Sequence, residues 1–354
     1  MKAKQLKKGT ASAKAHVGVR SSRKRRFAID FHAHLIVPEV VAFARDHVVK
    51  TGLPKNQKLS KKAIRETQKW NEAVRRRMGD FKLRLKDMDR MGVDIQVLTP
   101  SLVHQCTYWA DPATSLKMEK LSNERVADIV ATAPDRFVGF GGVPLQSPEL
   151  AVQELERCVK ELGLKGVQIS SQAAGMELGD ERLRPFWAKA EKLGAAIYVH
   201  PAGILDKRFE KHQLWNSVGQ PLEEAMAMAS LFYEGVLDEF PKLKICIAHG
   251  GGYLPFYAGR VDRNYFEKPA TRLNMTKPPS RYMKMFSYDS CLYNGDMLTY
   301  LIQKVGAGRL VMGSDYPVGE SDPVGFIRRP RSISAADKDK ILWKNAARLL
   351  ELTL

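Results

Sequence analysis

Cysteine is scarce in this chain. Its 354 residues hold four, Cys106, Cys158, Cys246 and Cys291, and no two stand in a CxxC pair. That argues against a disulfide framework and against a cysteine-type zinc site, and it fits a reducing, cytoplasmic setting. Long apolar runs are also missing. None approaches the roughly 20 residues of a membrane span, and no apolar stretch near the N-terminus has the form of a secretory signal. Acidic residues are absent from residues 1–26, where ten Lys or Arg stand in "MKAKQLKKGTASAKAHVGVRSSRKRR".

That local imbalance governs how the net charge of +18 is read. A uniformly basic chain would point to nucleic acid. Here the tail carries more than half of the excess, and the remainder carries about +8, a mild surplus. Residues 1–26 are expected to be a solvated, disordered tail, and no nucleic-acid or membrane partner is expected. Hydrophobic residues make up 44% of the chain, enough for a sizeable core.

From Phe27 onward, short β-branched runs alternate with helical patterns. The strand candidates are 27–34, 92–100, 136–145, 166–171, 195–201, 244–251, 285–292 and 309–317. Helix signals lie between them. In "SPELAVQELERCVKELG", Ser147 and Pro148 read as N-cap and first residue, with Gly163 as the stop. Residues 111–134 and 220–241 behave likewise. Near-continuous apolar strands joined by helices imply a parallel sheet buried on both faces. Eight such units predict an α/β fold, the (β/α)8 TIM barrel, occupying residues 27–354 as one domain. No GxGxxG follows the first strand, which counts against a dinucleotide-binding sheet. Residues 38–80 hold no strand pattern and many charges. They are read as an insertion after strand one that caps the site.

The chemistry is carried by polar residues at strand ends. "IDFHAHLIVP" places His32 and His34 two apart, on one face of the first strand. Alone, an HxH pair is a weak signal. His200 then ends the fifth strand in "YVHPAG", His249 the sixth in "IAHGGG" and Asp315 the eighth in "GSDYP". Burying these groups unpartnered would be costly. A shared divalent ion and its water would satisfy all of them, and in a barrel these ends converge on one mouth.

The order HxH, His, His, Asp resembles the amidohydrolase superfamily. "YWADP", "RFVGFGGVPLQSPELAVQELERCVKELGLKGVQI", "VHP", "FPKLKICIAHGGGYLPFYAGR" and "GSDYPVGE" are similar to its decarboxylase branch, typified by 2-amino-3-carboxymuconate-6-semialdehyde decarboxylase. The resemblance runs from Phe27 to the C-terminus. It implies that His32, His34, His200 and Asp315 bind one divalent metal, zinc before manganese, with a water completing the shell. It further implies that His249 and Asp315 act as acid and base through that water. No lysine ends strand four, where binuclear relatives carry a bridging one, which favours a single metal. Gln172 stands where a histidine is common in the branch. Arg260 matches an arginine that reaches into the neighbouring subunit and holds a carboxylate, which implies a homodimer. Trp215 matches a pocket aromatic. The branch's second substrate arginine, in the cap, has no clear match among Arg75, Arg76 and Arg77.

The expected activity is a mononuclear metal-dependent carboxy-lyase acting on a small aromatic or muconate-type carboxylic acid. The alternative is a hydrolase on the same cage, a lactonase or a carbon–carbon bond hydrolase of an aromatic-degradation intermediate.

Overall fold

The computed structural model describes residues 27–48, 60–100, 107–204, 206–209 and 211–354. The basic tail, residues 49–59 of the insertion, His104 and Cys106 lie outside the described residues. Every predicted barrel strand is present, in shorter form. The strands are β1 (Ile29–Leu35), β2 (Ile95–Pro100), β3 (Phe137–Gly139), β4 (Gly166–Ile169), β7 (Ala196–Val199), β8 (Lys244–Ile247), β9 (Ser287–Asp289) and β10 (Leu310–Val311). A two-residue hairpin, β5 (Gln172–Ala173) with β6 (Met176–Glu177), decorates the exit of β4.

All barrel pairings are parallel, β1–β2–β3 in one run and β4–β7–β8–β9–β10 in the other. Single bridges close the ring. Gly141 pairs with Val167 on one side, and Ala33 pairs with Tyr316 on the other. Phe31 N donates to Met312 O at 2.8 Å and His34 N to Tyr316 O at 2.8 Å, completing the seam. The result is the (β/α)8 barrel that the alternation predicted.

The helices form where their caps allow. Helix α4 (Pro112–Thr132) starts on Asp111, whose carboxylate accepts from Ala113 N and Thr114 N. Helix α5 (Pro148–Lys160) follows Ser147, but that side chain makes no capping bond, and the helix ends before Gly163. The pattern over 220–241 divides into α7 (Gln220–Tyr233) and a short turn, Val236–Glu239, because Gly235 adopts φ 75° between them. Three helices separate β1 from β2: α1 (Pro38–Val48), α2 (Lys61–Gly79) and α3 (Phe81–Met91).

Two apolar layers hold the barrel. Phe31 meets Phe140 and Tyr198 edge-to-face inside it, with centroids 5.5 and 5.6 Å away. A larger layer between strands and helices includes Ala33, Leu35, Trp187 and Ile197. On β1, Ile29 and Phe31 belong to the inner layer, whereas Ala33 and Leu35 belong to the outer. Strict alternation cannot do this. A register shift between Asp30 and Ala33 inverts the facing of the strand.

Candidate active site

The bulge in β1 turns both histidines to the barrel mouth. His32 Nε2 lies 3.1 Å from His34 Nε2. Asp315 Oδ1 lies 3.2 Å from His32 Nε2 and 3.0 Å from His34 Nε2. His200, immediately after β7, has its ring 5.0 Å from that of His32 and 4.9 Å from that of His34. One ligand atom from each of His32, His34, His200 and Asp315 falls within 4.8 Å of the others.

The donor set fits a divalent cation. His200 Nδ1 is 3.1 Å from Pro201 O, which directs its Nε2 into the cluster. That Nε2 is buried and has no hydrogen-bond partner among the described residues. Such an orphan costs roughly 1–3 kcal/mol unless something accepts its lone pair. Three imidazoles and one carboxylate suit zinc or another first-row ion. Burial disfavours a charged imidazole and depresses the pKa of His200 and His34. Burial works against His32 as well, but Asp315 and Asp289 override it and push its pKa up to about 10.

Outer partners fix the ligands. Asp289, at the end of β9, has Oδ2 2.7 Å from His32 Nδ1 and also accepts from Tyr198 OH at 2.8 Å and Cys291 N at 3.0 Å. This leaves His32 Nε2 free to face the cluster. Tyr293 OH donates to Asp315 Oδ2 at 3.1 Å. Buried Asp30 accepts from Ser314 N at 2.9 Å and from Gln96 Nε2 at 2.9 Å. Arg84, fully buried on α3, donates to His34 O and to Gln96 Oε1. The network thus braces the backbone under His34 and beside Asp315.

His249 flanks the cage, its ring 5.2 Å from that of His32 and 5.1 Å from that of His200. Its Nε2 lies 3.9 Å from Asp315 Oδ2, and its Nδ1 lies 2.5 Å from Oε1 of buried Glu224 on α7. Burial lowers the imidazole's proton affinity, and the Glu224 charge and hydrogen bond more than reverse this, so its pKa is raised. His249, Tyr293 and Asp315 all adopt positive φ, 47°, 54° and 57°. Three non-glycine residues in that conformation around one site are a concentration of backbone strain.

Other sequence expectations fare variously. Trp215 is half-buried and packs over Gly203, three residues after His200, where an added Cβ would sit 3.0 Å from the indole. Arg260 is exposed on the helix Ala258–Glu267 and has no hydrogen-bond or ion-pair partner among the described residues. Gln172 accepts from Gly175 N within its own hairpin. Arg77 pairs with Asp87, which also accepts from Tyr316 OH, and Arg76 lies 3.9 Å from Asp80.

Sequence reasoning missed Asp289, Tyr293 and Glu224. Asp289 ends its strand in "SYDSC", the same signal that marked Asp315. Glu224 lies on the helical stripe with Ala227, Met228 and Leu231, all buried. A carboxylate on an otherwise apolar face was the available signal. Tyr293 left none.

Residues 29–352 match the Amidohydrolase family. The 2-amino-3-carboxymuconate-6-semialdehyde decarboxylase of Dictyostelium discoideum is 36% identical over 278 residues, 77% of each chain. The crystal structure of 5-carboxyvanillate decarboxylase from Sphingomonas paucimobilis superposes with a TM-score of 0.81 at 25% identity, covering 93% of this chain and 100% of that one. A dihydroxybenzoic acid decarboxylase from Polaromonas sp. JS666, solved with bound manganese and the inhibitor 2-nitroresorcinol, gives a TM-score of 0.74 at 26% identity, over 92% and 97% of the two chains. With the barrel, the cage and the match over nearly the whole described chain in agreement, this protein belongs to the Amidohydrolase family.

Proposed function

We propose that this chain is a metal-dependent carboxy-lyase that removes carbon dioxide from a small aromatic or muconate-type acid. The observation that carries the reading is the His32–His34–His200–Asp315 cage with a separate, carboxylate-backed His249 beside it. A cage alone would serve binding. A cage with a poised proton donor serves chemistry. The relatives that are decarboxylases of aromatic or muconate-type acids favour this reaction over the hydrolase alternative.

His32, His34, His200 and Asp315 would hold one divalent ion, with zinc preferred for its affinity for imidazole and manganese the competitor. When bound, the ion supplies Lewis-acid attraction for substrate oxygens next to the departing carboxylate. The chain's own groups do the rest. Decarboxylation breaks a carbon–carbon bond, leaves its electron pair on the substrate carbon and requires a proton there. His249, its proton affinity raised by Glu224, would deliver it. Asp315, tied by Tyr293 and flanked by His249, would relay protons across the mouth. Arg260 would engage a substrate carboxylate in a partner's site, making a homodimer the working form, and Trp215 would flank the substrate. The insertion 38–80 would cap the mouth, its Arg77 linked through Asp87 to Tyr316, next to Asp315.

The test is metal content and carbon dioxide release, measured together on purified protein against a panel of dihydroxybenzoic, carboxyvanillic and muconate-type acids. One metal per chain with carbon dioxide evolved supports the proposal. One metal with lactone or diketone turnover and no carbon dioxide moves the protein to the hydrolase reading.

A further inference from the structure

We propose that the N-terminal face of the barrel carries a second, anion-binding site, built on Arg309 and Arg348 and suited to a phosphate ester. A cavity of about 280 Å³ opens there, with Lys242, Lys244, Arg309 and Arg348 on its wall. Its remaining lining includes the apolar Leu243, Ile245, Met285 and Leu349.

The site is distinct from the metal cage by construction. Lys244 opens β8 and Arg309 immediately precedes β10, whereas His249 and Asp315 follow the other ends of those strands. His249 lies five positions after Lys244, about 16 Å at the rise of a strand.

The two arginines are fixed but not neutralised. Arg309 Nη1 donates to Met285 O at 3.4 Å, and Arg348 Nη2 donates to Gly308 O at 2.7 Å. Both guanidiniums are thus tethered to backbone carbonyls, which leave their charge uncompensated. Among the described residues, neither has a carboxylate within ion-pair distance. The nearby acids are engaged elsewhere: Glu351 with Lys244 Nζ at 2.5 Å, and Glu191 with the backbone N of Lys242 at 2.6 Å. Arg309 and Arg348 are both exposed, and partial burial together with the neighbouring Arg348 charge lowers the pKa of Arg309.

The chemistry of the wall selects the ligand class. Two planar guanidiniums can meet the several oxygens of a tetrahedral dianion, each fork taking two. A single carboxylate fills only one fork. The apolar part of the wall and the cavity's size leave room for a small organic group on the phosphate.

Isothermal titration of the metal-loaded full chain with phenyl phosphate and with inorganic phosphate tests the proposal. Saturable binding at one per chain is expected, weakened at least tenfold by Arg309→Ala and by Arg348→Ala, and weakened between 50 and 200 mM salt. Arg309→Lys, which keeps charge but loses the fork, should fall between wild type and Arg309→Ala. Tighter binding of phenyl phosphate identifies an ester as the ligand; equal binding identifies free phosphate held by the same forks. Absence of saturable binding overturns the proposal. So does binding that both alanine variants leave within twofold, since the anion then sits on the metal. Thermal melts of each variant establish that it is folded, and the two arginines supply independent tests.

Discussion

Oε1 of Glu224 lies 2.5 Å from Nδ1 of His249, with the carboxylate wholly buried. The pair makes an imidazole on the edge of the cage more basic than burial alone would allow, and it orients Nε2 toward Asp315. Glu224 itself is pushed up to about 7 by burial, against the pull of His249. The two groups form a coupled pair in which the carboxylate raises the proton affinity of the imidazole.

Replacing Glu224 by Gln should lower kcat by about 10²-fold or more, the usual worth of a positioned proton donor. Metal content should stay at the wild-type level, because Glu224 touches no cage residue. Glu224→Asp, which keeps the charge at a longer reach, should recover part of the rate. A Gln variant with wild-type kcat would remove Glu224 from the proton path.

Asp315→Ala and His249→Ala should separate holding from reacting. The first should abolish turnover and weaken metal binding. The second should keep most of the metal and lose turnover. Metal analysis after gel filtration reads the difference, and an empty site in His249→Ala would make His249 a ligand.

Asp289→Asn should weaken metal affinity by about 10- to 100-fold, as loss of a ligand's outer carboxylate typically does. Metal affinity of the wild type should also rise with pH. The raised pKa of metal-free His32, about 10, means that binding displaces a proton at every lower pH. Each unit of acidification then costs about tenfold in affinity. Competition titrations with a chelator at pH 6, 7 and 8 measure the slope; a flat profile would contradict proton displacement.

Glu119 predicts a pH-dependent stability unrelated to catalysis. Burial, with the charge of Glu154, pushes its pKa up to about 8 against a hydrogen bond from Thr107. In the unfolded chain it titrates near 4.5. Between these values the folded state holds a proton that the unfolded state has released, so stability falls as pH rises from about 4.5 to 8. Urea midpoints at pH 5 and 8 should differ less in Glu119→Gln than in wild type.

Much of the fold was legible because a parallel barrel writes itself in apolar runs of strand length separated by capped helices. His32, His34, His200, His249 and Asp315 were visible for a related reason. Each interrupts apolar sequence at the C-terminal end of a strand, where burial demands a partner. Glu224 and Tyr293 were not visible, since a helix stripe and a loop carry no comparable constraint on where a side chain ends up.

By itself, the sequence determined that eight buried strands would pair in parallel and that imidazoles and a carboxylate would gather at one end of them. Tertiary structure decided how they face. Alternation keeps every second residue of β1 on one side, yet Ile29 and Phe31 fill the barrel while Ala33 and Leu35 pack against helices. The bulge that reverses the strand's facing between Phe31 and Ala33 arises from its pairing with β2, and Asp30 is held by Gln96 and Ser314. Those contacts join residues 66 and 284 positions apart in the chain. No local pattern can specify them, because the energy that favours the bulge exists only once the ring has closed.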